Sequence, residues 1–197
     1  MSSIHPTKDS IVVLIVLGLV IWSAVHLIPA AAPGLKAKWL QALGPYGYKG
    51  SFSLLIIGAV VLMVMGWRHS LPIYLYTLSD TIDRTTIGIM AFAAVLFVAA
   101  KLPTRIKRII RHPQLTGVAF WALAHLLANG DSRSVTLFGG LLLWSIVEIA
   151  LINRREGPWI KPPPSGLLYD LIVLALGAAL FSGLIFVHPY LSGIKLG

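Results

Sequence analysis

The chain has no cysteine in its 197 residues. Disulfides, thiolate metal ligands and cysteine nucleophiles are therefore excluded. Acidic residues are scarce, with seven Asp and Glu against sixteen Lys and Arg. The signatures of soluble enzymes are missing too. There is no Walker loop, no GxGxxG, no HExxH and no GxSxG, so catalysis by those routes is not expected. No internal repeat of fixed period is visible. What the chain has in abundance is apolar surface. Hydrophobic residues make up 57%, mean hydropathy is +0.84, and long apolar runs recur from residue 11 to residue 187. A bilayer solvates such surface where water cannot, so lipid is the solvent to reason from.

The length suits one compact transmembrane domain over residues 1–197, with no room for a sizeable soluble domain beside it. The formal net charge is +9 and the pI about 10.1. In a soluble protein that balance would point to nucleic acid. Here the charge sits in short loops, where it sets topology and meets anionic headgroups. Membrane lipids are the expected partners, and nucleic acid is not.

Spanning helices need about 20 apolar residues. Six candidates emerge, at about 11–28, 51–67, 85–100, 113–129, 135–152 and 167–187. The fold class is thus an all-α, polytopic helical bundle with six transmembrane helices. Pro29 and Pro33 are expected to stop the first. Asn129-Gly130 is a good stop for the fourth, and Asp131 or Ser132 a cap for the fifth, which predicts a helical hairpin of four and five. Tyr74 and Tyr76 suit an interfacial stretch between residues 71 and 84. Gly58, Gly117, Gly139, Gly140 and Gly177 are candidate points of close helix approach.

Loop charge gives an orientation. One set of alternate loops holds eleven basic residues, among them Lys36, Lys38, Lys49, Lys101, Lys107 and Arg111. The opposite side holds five: Lys8, Arg68, Arg84, Arg133 and Lys195. The positive-inside rule then puts both termini away from the cytoplasm. Lys8, the first apolar run and Ala30-Ala31-Ala32 have the layout of a signal peptide, but the length of that run favours a retained helix.

Of the six histidines, His5 lies in the polar tail, and His69 and His188 sit at helix ends, where polar residues are ordinary. His26 is inside the first helix, His112 opens the fourth, and His125 is embedded in it among Leu and Ala. A single histidine in an apolar helix commonly ties helices together. Several together point also to metal or haem ligation, since neutral imidazole serves both. Glu148 in the fifth helix and Asp170 at the start of the sixth must be protonated, paired or in a polar cavity. Arg111, Arg154 or a histidine are the candidate partners, and a structural ion pair is the simpler role. Trp121, His125 and Asn129 are spaced by four and share one helix face, as plain packing or as a wall of a flat aromatic pocket.

The stretches His26-Leu27-Ile28-Pro29-Ala30, Arg111-His112-Pro113-Gln114 and Ala122-Leu123-Ala124-His125-Leu126-Leu127-Ala128-Asn129-Gly130-Asp131, continued by Leu137-Phe138-Gly139-Gly140-Leu141, resemble the NnrU family of bacterial membrane proteins. The resemblance extends over nearly the whole chain. It includes the zeta-carotene isomerases, haem b proteins with histidine ligands that use reduced iron to isomerise a cis double bond in a carotenoid precursor. NnrU itself is linked to nitrite and nitric oxide metabolism.

The resemblance implies a bacterial cytoplasmic-membrane protein with haem b as cofactor. It makes His26 and His125 the axial pair, with His112 accessory. Trp121, Asn129, Arg111 and Glu148 would complete the cofactor-binding set, and the substrate would be a lipophilic isoprenoid or a small nitrogen oxide. Ala122 stands where the plant isomerase has a cysteine thought to exchange with histidine on oxidation, so a cysteine ligand switch is absent here. At 1.5 Å per residue, His26 lies about 5 Å and His125 about 18 Å from the same side of the membrane. Depth therefore pairs His26 more easily with His112.

Two rivals follow from the same residues. Arg111-His112-Pro113 with Arg154-Arg155-Glu156 also resembles the isoprenylcysteine carboxyl methyltransferases, in which an Arg-His-Pro segment helps bind S-adenosylmethionine. The chain lacks that group's second glutamate and aromatic tail. In a non-enzymatic assembly or sensing factor, the histidines would be structural.

Overall fold

The computed structural model describes residues 8–78 and 80–192. His5 and Lys195, with the side chains of Lys8 and Arg84, lie outside the described residues. The structure is helical, with six helices: α1 (Lys8–Ala31), α2 (Pro33–His69), α3 (Asp80–Ala99), α4 (Pro113–Ala128), α5 (Ser132–Glu156) and α6 (Leu167–Ser192). A 3-10 turn, Arg105–Arg108, lies between α3 and α4.

By length and apolarity, α1, α2, α5 and α6 are each able to cross a membrane. The apolar part of α3 is the shorter stretch Thr85–Ala99. With 16 residues, α4 is only about 24 Å long, less than the roughly 30 Å hydrocarbon thickness. Among the described residues, four of the six helices thus meet the requirement by length and composition. Their outward faces are apolar, with Val20, Leu54, Leu143 and Leu168 each more than half exposed, as lipid solvation requires.

The chain divides into two compact units. The first runs through Thr77 and takes in Asn129–Gly157. Here α1 packs on α2 and on α5. The helix expected to stop at Ile28 continues to Ala31 with Pro29 inside it. Pro33 then opens α2, where its missing N–H costs nothing. That same missing N–H leaves the Pro29 carbonyl without its helical donor, and Arg155 Nη1 supplies one at 2.8 Å. The backbone of α2 breaks at Gly44, with φ +67°, and resumes at Pro45. Gly18 sets the closest approach of α1 to α2, since a Cβ there would lie 2.6 Å from the Ala59 carbonyl.

The stretch after α2 is extended and pairs with the turn before α5. Leu75 donates to the Gly130 carbonyl at 2.7 Å, Ser132 donates to the Ile73 carbonyl at 2.8 Å, and Tyr74 faces Asp131 across a single bridge. A Cβ on Gly130 would fall 1.8 Å from the Tyr76 carbonyl oxygen, so only glycine fits. Asp131 is the cap of α5, accepting from the Arg133 and Ser134 amides at 3.0 and 3.3 Å and from the Ser134 hydroxyl at 2.6 Å. Burial pushes its carboxyl up, but the Ser134 bonds and Arg133 outweigh that and hold it below its ordinary value. Arg133 lies over the Trp67 ring and donates to the Trp67 and Ser70 carbonyls, closing the C-terminal end of α2.

In the second unit, Leu78–Ala128 with the chain from Pro158 onward, α3 packs on α4 and α6. Gly117 and Gly177 are its points of close approach. Gly58 and Gly139 face open space instead. The expected turn at residues 129–131 is present; within their units α4 packs on α3 and α5 on α1.

Candidate functional site

His26 and His125, one in each unit, are prepared in the same way; His69, exposed at the end of α2, makes the same bond to the Met65 carbonyl at 2.8 Å. In α1, His26 Nδ1 donates to the Trp22 carbonyl at 2.9 Å. In α4, His125 Nδ1 donates to the Trp121 carbonyl at 2.9 Å. A carbonyl only accepts, so the neutral ring carries its proton on Nδ1 and its lone pair on Nε2. That is the tautomer a metal takes, oriented by a hydrogen bond behind it. Both imidazoles also lie against the tryptophan four residues earlier, with ring centroids 4.2 and 4.9 Å apart. The local sequences are Trp22-Ser23-Ala24-Val25-His26 and Trp121-Ala122-Leu123-Ala124-His125. This W-x-x-x-H correspondence is legible in the sequence as a five-residue likeness, too short to register as a repeat.

The surroundings differ. His26 is half-buried among rings from three helices: Trp22 of α1, Phe52 of α2 at 5.4 Å and Trp144 of α5 at 5.1 Å. Trp22 and Trp144 pack edge to face at 5.5 Å. Both indole Nε1 groups are buried and lack a hydrogen-bond partner, as does Glu148 Oε2. Glu148 is one turn beyond Trp144 on the same face of α5 and is 7% exposed. None of its expected partners bonds this oxygen. A charge acting on it is Arg155, two turns along the helix.

His125 is buried, and its electrostatic neighbour is His188 of α6. The sequence put His188 at an ordinary helix end, and the packing of the second unit is what relates the two. Asn129 lies past the end of α4 at Ala128, and its carbonyl accepts from the Tyr76 hydroxyl at 3.4 Å. The expected Trp121–His125–Asn129 face therefore ends at His125. His112 precedes α4 and His125 is near its end, about 20 Å apart along the axis, so these two are not brought together.

His112 and Arg111 instead line an open cavity of about 470 Å³ with Lys107 and Trp159. Asp170 belongs to the frame of the same unit. It accepts from the Thr104 hydroxyl at 2.6 Å and the Arg105 amide at 3.0 Å, and forms an ion pair with Arg105. It is a structural acid.

Among the described residues, no three His, Asp or Glu side chains converge to hold a bare metal ion. An isolated imidazole suits an iron whose other ligands come from a porphyrin. The unsatisfied indole N–H groups beside His26 are donors of the kind a carboxylate-bearing cofactor would use. The residues present fit a haem on those grounds.

No curated protein and no solved structure matches the chain. A family profile described as NnrU protein matches residues 14–196. Covering nearly the whole chain, the match places this protein in the NnrU family.

Proposed function

We propose that this NnrU-family chain is a haem b protein of the bacterial cytoplasmic membrane, its termini facing away from the cytoplasm. In this reading the Nε2 atoms of His26 and of His125 are the iron ligands. The observation that carries the reading is the combination, at both His26 and His125, of an Nδ1-to-carbonyl bond with a tryptophan ring one turn earlier against the imidazole, which leaves Nε2 as the metal-binding nitrogen. The haem would supply a one-electron ferric–ferrous couple. The chain's own residues do the rest. Trp22, Phe52 and Trp144 hold the His26 ring and keep water from it. The indole N–H groups of Trp22 and Trp144 are donors for an acidic edge of the cofactor. Glu148, an acceptor when ionised and a donor when protonated, can hold a proton at Oε2. The chemistry best matched to such a site is redox-dependent isomerisation of a lipophilic, isoprenoid-like substrate, with conversion of a small nitrogen oxide as the alternative within the same family.

The test is a titration of the detergent-purified full chain with haem. Stoichiometric growth of a Soret band, with low-spin features sharpening on dithionite reduction, is the expected result. Free-haem spectra at every ratio would overturn the reading.

A further inference from the structure

The segment between α3 and α4 is the most basic in the chain, with Lys101, Arg105, Lys107, Arg108 and Arg111 and no acid between them. The structure divides these cations by task. Lys101 bonds Gln114 at 3.2 Å, Arg105 pairs with Asp170, and Arg108 Nη1 donates to the Pro162 carbonyl at 2.8 Å. Those three contacts fix the turn against the first residue of the Pro162-Pro163-Pro164 run, the head of α6 and the start of α4. Thr104 adds to the frame by accepting from the Ile106 amide while donating to Asp170. Lys107 and Arg111, the latter also engaged in a contact of its own, line the 470 Å³ cavity with His112. Its lining also includes Ala100, Leu115 and Trp159, so the cavity offers both cationic and apolar contacts. The volume is in the range of small-molecule sites.

We propose that this cavity binds the phosphate group of an anionic membrane lipid. Lys107 and Arg111 would meet the phosphate oxygens, and Ala100, Leu115 and Trp159 would line the start of the glycerol and acyl part. Basic pockets beside membrane helices take headgroups in this way, and a guanidinium matches phosphate with two parallel bonds. The proposal uses a cavity of the second unit and stands apart from haem binding.

The test uses the full chain in detergent, with melting followed as phosphatidylglycerol, phosphatidylcholine or inorganic phosphate is added. Phosphatidylglycerol should stabilise the protein where phosphatidylcholine does not. In Lys107→Gln/Arg111→Gln the midpoint concentration should rise roughly 30-fold, the sum of two surface cations acting on an anionic headgroup. Lys38→Gln/Lys49→Gln loses the same charge elsewhere and should leave it unchanged. Ala100→Phe keeps every charge but fills the cavity, and should also weaken the effect. It decides the matter if the double variant does not fold. Competition by inorganic phosphate would place recognition in the phosphate alone. Its failure to compete would assign it to phosphate and lipid tail together, and both support the site. Equal stabilisation by the two lipids, or equal weakening by Lys38→Gln/Lys49→Gln, would overturn it.

Discussion

The two units carry the same five-residue device and set it in different surroundings. Around His26 the walls are rings, and three polar atoms are buried without partners. Around His125 are one ring, Trp121, and a second imidazole acting on it electrostatically, His188. A buried donor left unbonded costs about 1–3 kcal/mol. Two such donors, Trp22 and Trp144 Nε1, with the Glu148 Oε2 acceptor one turn from Trp144, are a cost that a polar ligand would remove. The first unit thus keeps unmet hydrogen-bonding groups beside its histidine, whereas Asp170 and Arg105 of the second pair within its own frame.

That contrast can be broken at its supports. The largest effect is expected from Gly130→Ala. The new Cβ meets the Tyr76 carbonyl at 1.8 Å, so the extended pairing before α5 must open. Melting of the purified variant should fall by more than the roughly 1 kcal/mol of an average substitution. Gly177→Ala in the other unit meets the Val95 methyl at 2.7 Å and the Val95 Cα at 2.9 Å, a milder overlap than 1.8 Å, and should cost less.

Asp131→Ala removes the cap of α5 and should cost about 1–2 kcal/mol. Its pH dependence has a defined sign. The folded carboxyl is held below its ordinary value of 3.8, so its contribution is complete above that value and is lost as pH falls below it. Thermal melts from pH 7 to pH 3 should show wild type converging on the variant only at the acid end. Arg155→Ala leaves the Pro29 carbonyl without a donor and should cost about 1 kcal/mol, read by the same melts. Arg155→Lys should recover part of it.

The smallest change in stability, and the sharpest comparison, is Trp144→Phe. It keeps a ring against His26 but deletes one unbonded N–H. Without haem the variant should be as stable as wild type or slightly more so. In a haem titration it should bind more weakly.

The helices were legible because long apolar runs leave few other structures in lipid. Their ends were less so. Pro29 reads as a stop, yet α1 runs through it to Ala31, and the carbonyl bared by the missing N–H of Pro33 finds its donor in Arg155, 126 residues away. Asp131 was legible as a cap because capping is local. The pairing of residues 73–76 with 130–132 was not, since it depends on tertiary contact between polar stretches without periodicity. Trp22 lies in plain view four residues before His26, yet its importance shows only beside Trp121. The cavity at Lys107 and Arg111 is assembled from three separated stretches, so composition could locate its charge but not its walls. The role of Asp170 was legible in kind, as a structural ion pair, while its partner Arg105 was set by folding.

The central claim is that the Nε2 atoms of His26 and His125 grip iron. The most direct measurement is the absorption spectrum of haem-supplied wild type beside His26→Ala and His125→Ala, before and after adding free imidazole. The account predicts a low-spin wild-type spectrum, a shifted, high-spin or weakened Soret band in each variant, and return toward the wild-type spectrum with imidazole. A wild-type band that survives both substitutions unchanged would contradict it.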